Sequence, residues 1–401
     1  MGLLDRSDVP QDPQSWGRVL LAIQLCALFF SPAIANLSEL LLILLFVSSP
    51  TLRRDFITFF RSHVGRYYLL FLLFLLLGMS VAIMRNTVDY GALVSWRKIL
   101  LLPVAAVLFQ KNEQAKVRFL LIFLLVSMVF SLIAMFSWEI GNTHAIVRNS
   151  STQSVFFAVA VIVGFYVSQN VTNTHSRVFG FTSLAVSLAG LIMVTQGRSG
   201  YLSLVLMIVG TAVLLGQSQK LFKKLLIGVA LATVSAGLMF VSPVSNQRID
   251  QAVNEFKAPL LEGENTSMGQ RKIFWSNSLK MVPEFWLFGT GVTGFGKAYA
   301  AQVSDQAGPL AMLTNDPHNQ YLRIFLEQGF VGLLIFLALL VTIARTGLKS
   351  QSGRLGVCVL IGWCATSLFS AHFTTFAEGR FIWIWLGVFI GSLSFEKSPK
   401  E

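Results

Sequence analysis

Asn315-Asp316-Pro317-His318-Asn319-Gln320-Tyr321-Leu322 closes a long polar interruption, residues 242–320, in a chain that is otherwise apolar enough to sit in lipid. A segment of this kind is where water, a soluble substrate group and an ionisable side chain meet. His318 stands at its end, directly before a new hydrophobic run. The imidazole is therefore expected at the membrane–water boundary, a productive place for an acid or base that acts on a lipid-linked substrate.

Composition supports that reading of the remainder. Hydrophobic residues make up 54% of the 401 and charged residues 12%, with a mean hydropathy of +0.66 and 34 Phe. That balance excludes an ordinary soluble globular domain and predicts an all-α polytopic membrane protein. The formal charge of +12 does not signal nucleic acid, because Lys and Arg are scattered through short connections and form no single basic face. Cys26, Cys358 and Cys364 fall inside expected spans without paired or metal-ligand spacing, so neither a disulfide nor zinc is expected. The stretch up to Trp16 is polar and acidic and lacks a basic n-region with a small-residue cleavage site. The first hydrophobic run then reads as an anchor, not a cleaved signal.

Apolar runs of about 20 residues suffice to cross a bilayer core. Such runs lie near 17–34, 36–49, 67–84, 91–109, 117–138, 152–168, 178–195, 199–216, 222–242, 321–344, 355–371 and 380–394. About twelve transmembrane helices are expected on that length criterion, the first two short enough that one re-entrant hairpin is an alternative. Three regions follow: helices over 1–241, a polar segment over 242–320, and helices with a tail over 321–401. With the N-terminus cytoplasmic, the inner connections hold Arg53, Arg54, Arg61 and Arg66, then Lys111 and Lys116, then Lys220, Lys223 and Lys224, then Arg345, Lys349 and Arg354, and finally Lys397 and Lys400. The positive-inside rule thus puts both termini in the cytoplasm and residues 242–320 outside, in a bacterium the periplasm. No internal repeat is visible.

The outer segment has helical content of its own. Ser267 reads as an N-cap for a run that places Arg271, Trp275, Ser278 and Leu279 on adjacent turns and that Pro283 stops. Phe288-Gly289-Thr290-Gly291 and Gly294-Phe295-Gly296 then form a glycine-dense turn region, either a loop that needs positive φ or a close approach to a ligand. It is no phosphate-binding loop, since no strand precedes it and no Lys-Ser/Thr pair opens a helix after it.

Charges near the outer boundary carry more information, because a charged group in a span normally has a partner or a cavity. Arg198 occupies the tight turn Thr195-Gln196-Gly197-Arg198-Ser199-Gly200-Tyr201 between two spans. Arg97 and Lys98 sit near the outer end of the fourth span, Arg323 follows His318 by five residues, and Arg380 with Glu378 and His372 brackets the last outer turn. Cations gathered at headgroup level suit a phosphate or diphosphate, and the Arg fork matches phosphate oxygens. For Arg97, Lys98, Arg323 and Arg380, snorkelling to lipid headgroups is the competing reading. For His318 it is capping of the helix that follows. His144 and His372 are weaker candidates. No two outer acids stand in an Asp-x-Asp or His-Glu-x-x-His pattern, Glu262 and Glu264 being the nearest approach, so no metal is expected.

An Arg in a Thr-x-x-Arg-Ser-Gly turn, then Arg271 and Trp275 ahead of Pro283 and the Phe-Gly-Thr-Gly run, then Pro317-His318-Asn319 and Tyr321-Leu322 with Glu327-x-Gly329, resembles the O-antigen ligase family. That family lies in a wider group with O-antigen polymerases and bacterial protein O-oligosaccharyltransferases. The resemblance covers roughly residues 180–340 by motif. It implies a GT-C-type membrane glycosyltransferase in the bacterial inner membrane, with no cofactor. Its donor would be a glycan on undecaprenyl diphosphate and its acceptor a sugar hydroxyl of lipid A–core. The polymerase, with a second lipid-linked glycan as acceptor, is the alternative; a polyprenyl-glycan transporter or a non-catalytic scaffold are readings of other classes. Carried over by motif, His318, Arg198 and Arg271 are the catalytic positions, with Arg97, Lys98, Arg323 and Arg380 as further diphosphate ligands.

Overall fold

Ser-Pro pairs set three helix boundaries in the computed structural model, which describes residues 12–141, 145–216, 220–260 and 264–390. His144, Glu262, Lys397 and Lys400 lie outside those residues. Proline has no N–H to continue a helix but is at home in a first turn, so Ser31-Pro32, Ser49-Pro50 and Ser242-Pro243 each end one helix and open the next. The helices before the polar segment are α1 (Pro13–Phe30), α2 (Pro32–Ser48), α3 (Pro50–Phe59), α4 (His63–Met84), α5 (Tyr90–Trp96), α6 (Leu101–Leu108), α7 (Glu113–Gly141), α8 (Ser150–Asn170), α9 (Thr174–Met193), α10 (Arg198–Leu215) and α11 (Leu221–Val241). The polar segment folds as α12 (Pro243–Lys257), α13 (Ser267–Lys280), α14 (Val282–Phe285) and α15 (Phe295–Gln302), and the chain continues through α16 (Gln320–Gly347), α17 (Gln351–Thr366) and α18 (Phe376–Ile390).

The architecture is all-helical, as expected, and multi-pass. Among the described residues, seven helices are long and apolar enough to cross a membrane, or eight if α2 and α3, bent by 99° at Ser49, form one span. α4 turns Leu69, Leu73, Leu76 and Leu77 outward while burying Tyr68 and Phe71, and α11 exposes Phe222, Leu226, Val229 and Val234. Apolar faces of that size are the surface a lipid solvent wants. α18 lies at the other extreme. It is buried from Ala377 to Ile390 and packs against α6, α17, α1 and α16.

Two local expectations are corrected. The run 91–109 is broken into α5, a 3-10 turn over Arg97–Leu100 and α6. Pro103 cannot donate to the Ile99 carbonyl, and the Tyr68 hydroxyl takes that acceptor at 3.2 Å. The cap of α13 is Thr266, whose Oγ1 accepts from the Gly269 amide at 3.1 Å, because the Ser267 hydroxyl is taken by Arg271 at 2.5 Å. As expected, α13 ends just ahead of Pro283, which lies two residues past the Met281 cap in the first turn of α14.

The glycine-dense region is a structural seam. Gly289 and Gly291 hold φ of +70° and +90°, and a Cβ on Gly291 would meet the Ala82 backbone at 2.3 Å. The chain there donates from Val292 to Gly78 of α4 at 3.0 Å and from Thr290 to Leu326 of α16 at 2.7 Å. It thereby fills the break that α16 makes at Gly329 (φ 70°), where Phe330 also donates to Trp286 at 2.7 Å. This seam aims the first turns of α16 at the polar segment.

A buried ionic cluster ties the early and late helices together. Glu39 of α2 accepts from Nε of Arg97 at 2.8 Å and from Nε of Arg380 at 2.8 Å, while Asn36 Oδ1 takes a further N–H from each at 2.9 and 2.7 Å. Arg380 is fully buried. Removing the shared acid leaves an uncompensated charge, and breaking a buried pair in that way costs about 3–5 kcal/mol. Glu39→Ala is therefore expected to lower stability by about that amount in a denaturant or thermal titration in detergent. An unchanged midpoint would show that the two guanidiniums find other acceptors.

Candidate functional site

Two helices and a loop carry the three motif residues. Arg198 is the first residue of α10, just after Gly197. Gly197 and Gly200 let this helix start press on α8: a Cβ on Gly200 would sit 2.4 Å from that of Ser154, whose hydroxyl instead accepts the Gly200 amide at 3.0 Å. The Arg198 guanidinium grips Glu255 of α12 in a two-pronged pair, at 2.7 and 2.6 Å. Glu255 also accepts the Met268 amide at 3.3 Å, which joins α12 to the start of α13. The Arg198 fork holds the Glu255 carboxyl below the usual carboxylate range.

Arg271 projects from α13 to the turn between α17 and α18. Its Nε donates to the Phe369 carbonyl at 3.0 Å, and one terminal nitrogen donates to the Ser267 carbonyl and hydroxyl at 3.1 and 2.5 Å. The same helix holds the loop that carries His318. Trp275 Nε1 donates to the Pro317 carbonyl at 2.9 Å, and Phe274 stacks on the imidazole with ring centres 5.9 Å apart.

His318 adopts a positive φ of 53°, the left-handed region unusual for a side-chain-bearing residue. Asp316 stabilises the turn by accepting the His318 amide at 2.8 Å. Asn319 caps α16, accepting from Tyr321 and Leu322 at 3.0 Å each. His318 is thus released from capping duty. Burial pushes its pKa below the ordinary value; Asp316 opposes that shift and Arg271 adds to it. The imidazole is accordingly neutral near pH 7, with an acid on one side and a guanidinium on another.

Arg271 is the link in this group: it feels Arg198, Glu255 and Asp316, while His318 feels Asp316 and Arg271. His372 sits close by, buried, with Nδ1 2.9 Å from the Thr366 hydroxyl, and feels Glu378, Arg271 and Asp316. The other cations named from the sequence are elsewhere. Arg97 and Arg380 share Glu39, and Lys98 donates to the Thr374 carbonyl. Arg323 pairs with Glu327 one turn along α16 at 3.3 Å, buried on both sides. Glu378 accepts the Thr152 hydroxyl and does not reach His318 in any direct bond.

Two participants escaped the sequence reading. Glu255 is one acid among several in a polar helix, and nothing in its spacing announces Arg198. Arg148 precedes α8 with φ 52° and stacks its guanidinium 4.4 Å from the Phe376 ring, the ring that Arg380 also approaches at 4.1 Å. Its signal was present: an Arg directly before an apolar helix, in Arg148-Asn149-Ser150-Ser151.

Residues 183–337 match the O-antigen ligase family. That stretch includes Arg198, Glu255, Arg271, Asp316, His318, Arg323 and Glu327 and leaves out Arg97, Lys98 and Arg380. An uncharacterized protein of Haemophilus influenzae is 25% identical over 206 residues, which is 50% of this chain and 50% of that relative. The chain thus aligns with about half the length of the relative it matches. The family match falls on the polar segment and the helices around it in a multi-pass helical chain.

The Arg198–Glu255 pair has a pH signature. A carboxyl with a lowered folded pKa stabilises the fold above its unfolded value of 4.5, and that contribution is lost as pH falls through the folded pKa. Glu255→Gln is expected to lower stability by about 1 kcal/mol near neutral pH, since the pair is only partly buried. The gap between variant and parent should close below pH 4.5, read from thermal midpoints across pH. A gap that persists unchanged into strong acid would mean that the pair is not what the substitution disrupts.

Proposed function

We propose that the protein is an inverting, metal-independent glycosyltransferase, an O-antigen ligase, working on the periplasmic side of the bacterial inner membrane. It takes a glycan from undecaprenyl diphosphate and joins it to a sugar hydroxyl of lipid A–core. The observation that supports this best is that Arg271 of α13 acts both on Arg198 of α10 and on His318 in the loop before α16.

Each residue has one task. His318, neutral at working pH, takes the proton of the acceptor hydroxyl as its oxygen attacks the anomeric carbon. The bond from that carbon to the diphosphate oxygen breaks, and the leaving group departs with the electron pair. Arg198 and Arg271 face the growing negative charge with donors already in place. Arg198 holds a carboxylate in the two-pronged geometry that a phosphate also needs. Asp316 favours the imidazolium that forms. Attack opposite the leaving group inverts the anomeric centre. Arg97, Lys98 and Arg380, held by Glu39 and Thr374, serve the scaffold.

The direct test is purified protein with both lipid substrates in excess chelator. Transfer is expected; its absence, restored by Mg²⁺ or Mn²⁺, would overturn the guanidinium-only picture of the leaving group. In the cell, loss of the gene should remove long glycan from lipopolysaccharide completely. A single capped repeat would identify the polymerase instead, which uses the same donor chemistry.

His318→Ala should cut turnover by about 10²–10⁴-fold, the usual share of a general base, while donor binding persists. The base works when neutral, so activity should fall as pH drops through the lowered His318 pKa, placing the acid limb of kcat/KM below about 6.5. Near-parental turnover in the Ala variant would remove His318 from the mechanism. Arg271→Lys keeps the charge but loses the fork, and kcat is expected to drop at least about tenfold, or 1.4 kcal/mol of barrier. Full activity in Lys variants at both Arg271 and Arg198 would show that net charge alone matters.

A further inference from the structure

A cleft of about 540 Å³ opens beside the loop that carries His318. It takes no part in the chemistry described so far. Asp89 walls it from the connection after α4, Tyr90 from the start of α5, Lys297 from α15, Asn315 from the loop, and Arg323 and Glu327 from the first turns of α16. The volume falls within the roughly 300–1,000 Å³ of small-molecule sites.

We propose that this cleft is the sugar subsite for the acceptor, holding a pyranose ring on Tyr90 with its hydroxyls against Asn315, Asp89 and the Arg323–Glu327 pair. The assignment rests on the glycosyl-transfer reading above. Its chemistry follows from the wall. Two acids and two bases cancel, so the cleft has no surplus charge to offer a diphosphate or a dication. Arg323 is already matched by Glu327 at 3.3 Å, and Lys297 donates to the Asn86 carbonyl at 3.2 Å. What remains is a mixture of donors and acceptors, the requirement of a neutral polyol.

Glu327 supplies the strongest sign of a missing partner. Its side chain is 1% exposed, yet while Oε1 takes Arg323, Oε2 closes no well-formed hydrogen bond, although the Thr293 amide faces the carboxylate. A buried carboxylate oxygen without a donor is costly, and a sugar hydroxyl in the cleft would supply one. Tyr90 is 74% exposed and offers a broad apolar ring with a polar tip, a surface suited to the face of a sugar.

The position favours the acceptor over the donor. Arg198 and Arg271, assigned to the diphosphate, contribute nothing to the wall. Asp316 links the two regions: it acts on Arg271 and His318, and also on Arg323. Asn315 in the wall is only three residues from the base. The cleft and the base thus share one loop, while neither guanidinium assigned to the diphosphate lines the cleft.

Two variants test this with the full chain in lipid nanodiscs. Tyr90→Ala removes an exposed ring, and Gly296→Ala places a methyl 2.5 Å from Asn315 Oδ1, forcing that amide to shift. Binding is measured with core oligosaccharide released from lipid A, and separately with undecaprenyl-diphosphate glycan. Each variant is expected to bind the oligosaccharide about tenfold more weakly, or 1.4 kcal/mol, with unchanged donor affinity and a matching rise in acceptor KM. Parental oligosaccharide affinity in both variants would overturn the assignment. So would a loss confined to the donor, or a parent chain that turns over donor yet binds no core oligosaccharide. A parent that binds the oligosaccharide through Tyr90 but never transfers glycan would instead refute the reaction and leave the subsite standing.

Discussion

Glu39 is shared by two guanidiniums, one of them fully buried, and the arrangement of the bundle depends on that carboxylate. Arg380 belongs to α18, the helix buried along its length, and Arg97 to the 3-10 turn where the fourth run breaks. An ion in that environment is tolerated only when paired and further hydrogen-bonded. Glu39 and Asn36 meet both demands from a single helix. They thereby fix how α2, the broken crossing and α18 sit against one another. Phe376 and Glu378 begin α18, and the turn just before it supplies the Phe369 carbonyl that holds Arg271. The position of the Arg271 guanidinium is thus inherited from an ionic cluster built by other residues.

The cations divide by what holds them. Arg97, Lys98, Arg323 and Arg380 are each engaged by a buried acid or carbonyl within the bundle, and an added phosphate would have to break those contacts. Arg198 and Arg271 are held from the polar helices, by Glu255, Ser267 and a turn carbonyl, in a region that water can enter. Exchange of a partly exposed carboxylate for a phosphate there replaces one charge-assisted fork by another. A similar exchange at Glu39 would strip two cations at once, one of them, Arg380, fully buried.

Much of this was legible in the sequence, and the parts that were not share a cause. Hydropathy marked where helices lie because lipid imposes length and apolarity on each segment separately, with no knowledge of neighbours. The polar segment and the His318 loop were visible for the same reason: they interrupt the pattern. Pairings were invisible. Nothing in Leu37-Ser38-Glu39 predicts two arginines 58 and 341 positions away, and Glu255 looks like any acid of a solvated helix. The cap of α13 was misplaced by one residue because Thr266 and Ser267 are both good caps, and only the competing bond from Arg271 decides between them. The glycine run was read with two outcomes open; its neighbours on α4 and α16, distant in sequence, make it a seam.

The electrostatics around His318 also bear on the order of events in the proposed reaction. Before donor binds, Arg271 and burial both disfavour the imidazolium, and Asp316 only partly opposes them. A diphosphate settling on Arg198 and Arg271 brings negative charge to the guanidinium that presses on the ring. The repulsion weakens, and the affinity of His318 for a proton rises toward that of ordinary imidazole. The base therefore becomes stronger when the leaving group is in place, and is poor at stripping hydroxyls, water included, when it is not. In a site at the edge of the membrane, where water is always near, that coupling favours transfer to the acceptor over idle hydrolysis. It needs no moving part, only a guanidinium placed between the anion it binds and the imidazole it restrains.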